Sequence, residues 1–82
     1  MTYEGWRNRA TWNVALFVAN EYPLYQSAVH YMKHGAAPQS WDGFVEYAGL
    51  AGERTPDGYK YDGSRLSRPE LTEFLYELVG RS

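Results

Sequence analysis

The sequence predicts a mainly α, small single domain of about four helices spanning residues 1–82, and three observations carry that reading. Leu71, Phe74, Leu75, Leu78 and Val79 recur at i, i+3, i+4, i+7 and i+8, the spacing that lines one face of a helix. Pro23, suited to a first helical turn, precedes a second such stripe of Leu24, Tyr25, Ala28, Val29 and Met32. The 82 residues contain no cysteine, so disulfides and thiolate metal sites cannot supplement the core and apolar burial has to hold the fold.

The first helix is expected over residues 9–20. From Trp12 to Ala19 every residue except Asn13 is apolar. As a strand, Trp12, Val14, Leu16 and Val18 would face one way and Asn13, Ala15, Phe17 and Ala19 the other. As a helix the segment would be apolar nearly all round, as a central helix is. Length arbitrates, because Arg9 to Asn20 runs without a turn residue, which is long for a strand and ordinary for a helix. Asn8 suits the N-cap and Asn20 a left-handed terminator. Trp12, Leu16 and Phe17 are then expected in the core, and a buried Asn13 would need a hydrogen-bond partner.

A short connection leads to the second helix, residues 23–34, ended by Gly35 and paired with the first as an antiparallel hairpin. Ser40 suits the N-cap of a third helix over 41–48, with Asp42 in its first turn and Trp41, Phe44, Val45 and Ala48 on its apolar side. Gly49 suits a left-handed position after it, with Leu50 folding back onto Val45 in a Schellman ending. Around residues 53–66 the helical period is lost. There Thr55-Pro56-Asp57-Gly58 has the chemistry of a type I turn, in an irregular loop or a short β-ribbon pairing Arg54 with Tyr59 to Tyr61. Ser67-Arg68-Pro69-Glu70 matches a capping box ahead of the fourth helix, residues 68–79, which Gly80 is expected to stop. No internal repeat or low-complexity tract interrupts this pattern.

Composition narrows the function classes. Three Trp, three Phe and eight Tyr can build a small core, yet the same residues enrich binding surfaces. A formal charge of −2 lacks the basic excess of a typical nucleic-acid binder. The start MTYEGWRNR shows no export signal, and the apolar run ending at Ala19 falls short of the ~20 residues a membrane span needs. The expected setting is cytoplasmic, with no membrane partner.

Chemistry-bearing patterns are sparse. His30 and His34 stand at i, i+4 and could meet one metal ion, but a metalloprotease helix needs Glu where Tyr31 stands, and no third ligand is evident. They read as two solvent-facing histidines, and no metal or cofactor is expected. Counting from Asp57, a calcium loop would need oxygen ligands at Tyr59 and Tyr61 and glycine at Asp62, so that register fails. No phosphate loop or nucleophile elbow occurs, and Glu46, Glu53 and Glu73 are scattered as surface charges are. The chain reads as a non-enzyme.

Two clusters remain as candidate partner-binding residues: Trp6, Arg7 and Arg9 before the first helix, and Arg54, Tyr59, Lys60, Tyr61, Arg65 and Arg68 around the irregular segment. Bases interleaved with rings suit single-stranded nucleic acid, but Glu53, Asp57 and Asp62 thread the second cluster and offset its field. Arg with Tyr is also the mixture of protein-binding hot spots. The structural alternative has Tyr59 and Tyr61 covering the core edge while the charges solvate a loop.

The block Trp6-x-Asn8-x-x-Thr11-Trp12-Asn13-Val14-Ala15-Leu16-Phe17, followed by Asn20-Glu21 and Leu24-Tyr25, resembles a family of small phage- and plasmid-encoded proteins of unassigned function, with cyanophage-like members. That family usually carries Trp at the place of Phe17 and Asp at the place of Glu21, both conservative departures. Thr55-Pro56-Asp57-Gly58-Tyr59-Lys60-Tyr61 and the closing helix also resemble phage members, so the likeness spans most of the chain. It implies an accessory protein of a mobile genome and supplies no catalytic residues. The expected function is stoichiometric binding of a host protein, as inhibitor or modulator, with anti-CRISPR or anti-restriction action as specific versions. The alternatives are a nucleic-acid-binding accessory protein and a structural or regulatory homo-oligomer, with His30 and His34 bridging a metal between chains.

Overall fold

Local chemistry starts and stops most of the helices. In a computed structural model that describes residues 4–81 (residue 81 by its backbone alone), α1 runs Arg9–Asn20, α2 Tyr22–His34, α3 Trp41–Tyr47 and α4 Arg68–Arg81. Residues 1–3, where the reading of the chain start begins, lie outside the described residues. Asn8 caps α1 in an extended conformation, its Oδ1 accepting from the Thr11 amide at 2.9 Å and the Thr11 hydroxyl at 2.7 Å. Ser40 caps α3 through the Gly43 amide. Gly49, at φ +70°, ends α3 as expected: its amide reaches Glu46 O and the Leu50 amide reaches Val45 O, the paired bonds of a Schellman motif.

Three terminal signals behave differently. Asn20 is helical rather than left-handed, because the next helix follows at once. Glu21 alone joins α1 to α2, in extended conformation, its amide closing on Phe17 O and its carbonyl receiving the Tyr25 amide. One extended residue turns the chain, so no left-handed residue is required. The capping box before α4 does not close on itself. The Ser67 amide donates to Thr11 Oγ1 at 3.0 Å, and Glu70 Oε1 accepts from the Arg7 amide at 2.8 Å, so both groups tie α4 to the start of α1. Gly80 is within α4 rather than beyond it and has no left-handed φ, so it forms no terminating cap.

The core lies where α2 and α4 pack on each other and on α1 and α3. Trp41, Phe44, Leu71, Leu75, Val14 and Val18 are fully enclosed. The Trp41 indole N–H donates to Tyr61 O at 2.8 Å, and its amide donates to Thr72 Oγ1 at 3.1 Å. Tyr31, off the apolar stripe expected for α2, is also buried. Its ring takes the space left by two glycines, since a Cβ on Gly43 would strike the Tyr31 hydroxyl and one on Gly35 would come within 2.6 Å of its ring. That hydroxyl accepts from the Ser40 amide at 3.0 Å.

Helix α1 buries Thr11, Asn13, Val14, Ala15 and Val18 rather than the expected Trp12, Leu16 and Phe17, which are half-buried at its flanks. Asn13 selects that face. Its side-chain amide donates to Asp57 Oδ2 at 2.7 Å, and its Oδ1 accepts from the Thr55 hydroxyl at 2.7 Å. Thr55, itself buried, accepts the Tyr59 amide at 3.2 Å, so the 55–58 turn is clamped onto α1. Within the turn the Gly58 amide reaches Thr55 O at 2.8 Å. The expected ribbon reduces to one antiparallel bridge between Arg54 and Lys60. Among the described residues no helix is long and apolar enough to cross a membrane.

Replacing Asn13 by Ala should destabilise the fold by about 2–3 kcal/mol, because two hydrogen bonds are lost and the buried Thr55 hydroxyl loses its acceptor. A lowered urea midpoint with unchanged m-value checks this. Burial holds the Tyr61 phenol above its ordinary pKa of 10.0, with the Glu21 carboxylate adding to the shift. A raised acid pKa means that the folded state favours the neutral phenol. That contribution is complete below pH 10 and is lost as pH climbs toward the raised value. Urea titrations at neutral and alkaline pH should show this loss, and Tyr61→Phe should remove it.

Candidate functional site

The nine nominated residues separate into four groups in space. Tyr61 is 4% exposed and belongs to the core, so it is not a contact residue. Arg68 is occupied as a loop clamp: its guanidinium donates to the carbonyls of Gly63, Leu66 and Asp62 and pairs with Asp42 at 3.2 Å. Trp6 packs edge-on against Phe74 with centroids 5.8 Å apart, and Arg7 is tied by its amide to Glu70. These positions serve the scaffold in whole or in part.

The other five, Arg9, Arg54, Tyr59, Lys60 and Arg65, line one open groove of about 520 Å³ between the start of α1 and the 54–66 loop. Asn8 completes its polar edge, donating from Nδ2 to Arg65 O at 2.8 Å and so fixing the loop against the helix cap. Arg54 reaches Gly58 O at 2.9 Å across the turn. Among the described residues no carboxylate lines the groove. The interleaved acids expected to offset these cations are turned elsewhere: Asp57 to Asn13, and Asp62 to the Gly52 amide at 3.1 Å. Glu53 is exposed outside the groove. Among the described residues the ion pair is Arg68–Asp42, so Arg54, Lys60 and Arg65 present their charge to solvent.

A second groove, of about 760 Å³, lies along the outer side of α2 and is lined by Tyr22, Tyr25, His30, Lys33, His34 and Tyr47 among others. Tyr22 is 68% exposed and Tyr47 47% exposed. His30 Nδ1 is hydrogen-bonded to the Tyr47 hydroxyl, the rings of His30 and His34 lie 4.7 Å apart, and Gln26 donates to the Tyr22 hydroxyl at 2.9 Å. Sequence reasoning nominated none of these residues as partner-binding. The signal was partly present: Tyr22, Gln26, His30 and Lys33 recur at helical spacing on a side of α2 away from Ala28 and Met32, while Tyr25 and Val29, expected on the core stripe, are half-buried and also line the groove. Among the described residues no group of three or more His, Cys, Asp or Glu could hold a metal ion.

The sequence matches a family of unknown function, DUF7249, over residues 1–81. The chain belongs to that family. No curated protein and no solved structure matches it. On this chain's own residues the architecture comprises four helices, an irregular loop pinned by Asn13 and clamped by Arg68, and open grooves that include the two described above.

Truncating Arg68 to Ala should cost about 1–3 kcal/mol in urea unfolding, because several carbonyl bonds are lost together. Asp42→Ala should cost less than about 1 kcal/mol, since that carboxylate is largely exposed. Lys at position 68 should restore only part of the loss, as it lacks the planar fork.

Proposed function

We propose that this DUF7249 protein acts by stoichiometric binding to another protein, in the setting of a phage- or plasmid-encoded factor that inhibits or modulates a host component. Action against host defence, such as CRISPR or restriction, is a specific version. The observation that carries the reading is the tyrosine-lined groove on α2 and α3. Tyr22 exposes a ring that the core does not use, Tyr47 is half-exposed although its ring also packs on Tyr31 with centroids 5.4 Å apart, and Tyr25, His30 and Val29 extend the same surface. Tyrosine combines a large apolar ring with a hydroxyl and few rotatable bonds, which is why binding hot spots are rich in it. The His30–Tyr47 hydrogen bond and the Gln26–Tyr22 bond hold two of these rings in place before any partner arrives.

Affinity purification of the tagged protein from host lysate should return one dominant partner at a fixed ratio. The double variant Tyr22→Ser/Tyr47→Ser, exposed at both sites, should keep its fold by circular dichroism and lose that partner at least about tenfold, which corresponds to roughly 1.4 kcal/mol. Enrichment of no partner, or capture unaffected by the double variant, counts against the reading. Plaque assays on defended and undefended hosts test the defence version.

A further inference from the structure

We infer that the groove at the start of α1 is a separate docking site for a short acidic segment of a protein partner. Its carboxylates would meet Arg54, Lys60 and Arg65, beside Tyr59, in a groove whose helix edge carries Arg9. The partner's being a protein rests on the proposed function; the anionic character of the ligand does not.

Charge segregation is the first argument. The groove holds four of the chain's eight cations, whereas all ten carboxylates lie outside it, so it carries +4 and the remainder of the chain −6. With a screening length of about 8–10 Å at ordinary ionic strength, a ligand inside the groove senses its four cations more than the distant carboxylates. A long polyanion extending beyond the groove would run over a surface of its own sign. Short anionic ligands are favoured by that contrast, and duplex nucleic acid is not.

Arg9 supplies the second argument. It occupies the first position of α1, where the helix dipole favours a carboxylate and disfavours a cation, and the first turn of α1 contains no acidic residue. The positive end of the helix and the formal charge of Arg9 thus lie at the same edge of the groove, at some local expense in helix stability. Functional surfaces are where such departures from local preference concentrate.

The scaffold also holds the groove open and in register. Asn8 fixes the Arg65 carbonyl, Arg54 spans to Gly58, and the Asn13–Thr55–Asp57 pin draws Asp57 away from the basic side chains. The cations are thus presented on braced backbone, which lowers the ordering cost of binding. Tyr59, half-buried against the core, offers a ring on which an apolar or aromatic neighbour of the acidic residues can rest.

The test is a set of nitrogen–proton NMR titrations of the full chain with capped hexaglutamate peptide, single-stranded oligothymidine and inorganic phosphate. The peptide should shift the amides of Tyr59, Lys60 and Arg65, and its affinity should fall about tenfold between about 50 and about 300 mM salt. Lys60→Glu/Arg65→Glu should abolish the shifts with an unchanged far-UV spectrum, whereas Arg7→Glu, a charge reversal outside the groove, should leave them. If that double variant does not fold, Lys60→Gln and Arg65→Gln, made singly, should each weaken the peptide severalfold. Absence of peptide shifts at low salt overturns the inference. So do equal weakening by Arg7→Glu, tighter binding of the oligothymidine than of the peptide, and a response to phosphate alone, which would indicate an adventitious ion. Tyr22→Ser/Tyr47→Ser leaves this titration intact, so failure here and failure of the proposed function are separately visible.

Discussion

A single buried amide orients much of this molecule. Asn13 has no solvent exposure, and its two side-chain atoms are satisfied by Asp57 and Thr55, more than forty positions away in the chain. Helix α1 is apolar on most of its circumference, so hydrophobicity alone leaves its rotation about its own axis poorly specified. Burying an unpaired amide is expensive, so the rotation in which Asn13 meets the 55–58 turn prevails over rotations that would enclose Trp12 or Phe17. The same contact fixes the turn, and the turn fixes the neighbouring loop. Arg68, Asn8 and Thr11 then complete a polar seam between the starts of α1 and α4.

What the sequence disclosed and what it concealed divide along the range of the interaction. Asn8, Ser40 and the Gly49-Leu50 pair act on residues within a turn of themselves, and their roles could be read from spacing. Ser67 and Glu70 satisfy the same local rule, yet here their partners are Thr11 and Arg7, which only the tertiary fold brings near. Tyr31 falls off its helix stripe because its place depends on the missing side chain of Gly43, on another helix. The face of α1 could not be inferred from periodicity, since a helix apolar all round has no preferred face in periodic terms.

The candidate surfaces follow the same division. Arg54, Tyr59, Lys60 and Arg65 were visible as a cluster, but along the chain they alternate with acids and look nearly neutral. In space the acids have scaffold tasks, Asp57 to the Asn13 amide and Asp62 to the Gly52 backbone, and the bases are left on the other side. A linear charge pattern therefore understates the local field. Tyr61 and Arg68 show the converse: each fits a binding cluster by composition, and each is committed to structure by a burial or a carbonyl network that no local pattern announces. Tyr22 went unnoticed and Tyr25 was assigned to the core stripe, because the surface stripe runs beside the core stripe on one helix.

The junction at Glu21 sets a rule for how this fold can vary. With one extended residue between α1 and α2, each added residue would lengthen the link by roughly 3.3 Å and release the bonds by which Glu21 closes on Phe17 O and receives the Tyr25 amide. The seat of Ala28, Tyr31 and Met32 in the interior depends on that close junction. Insertions at that point therefore loosen the hairpin, whereas the longer connection before α3 accepts them more readily. The tyrosine-lined surface thereby keeps its bearing on the rest of the molecule, and the basic loop is held to its length by the Asn13 pin and the Arg68 clamp.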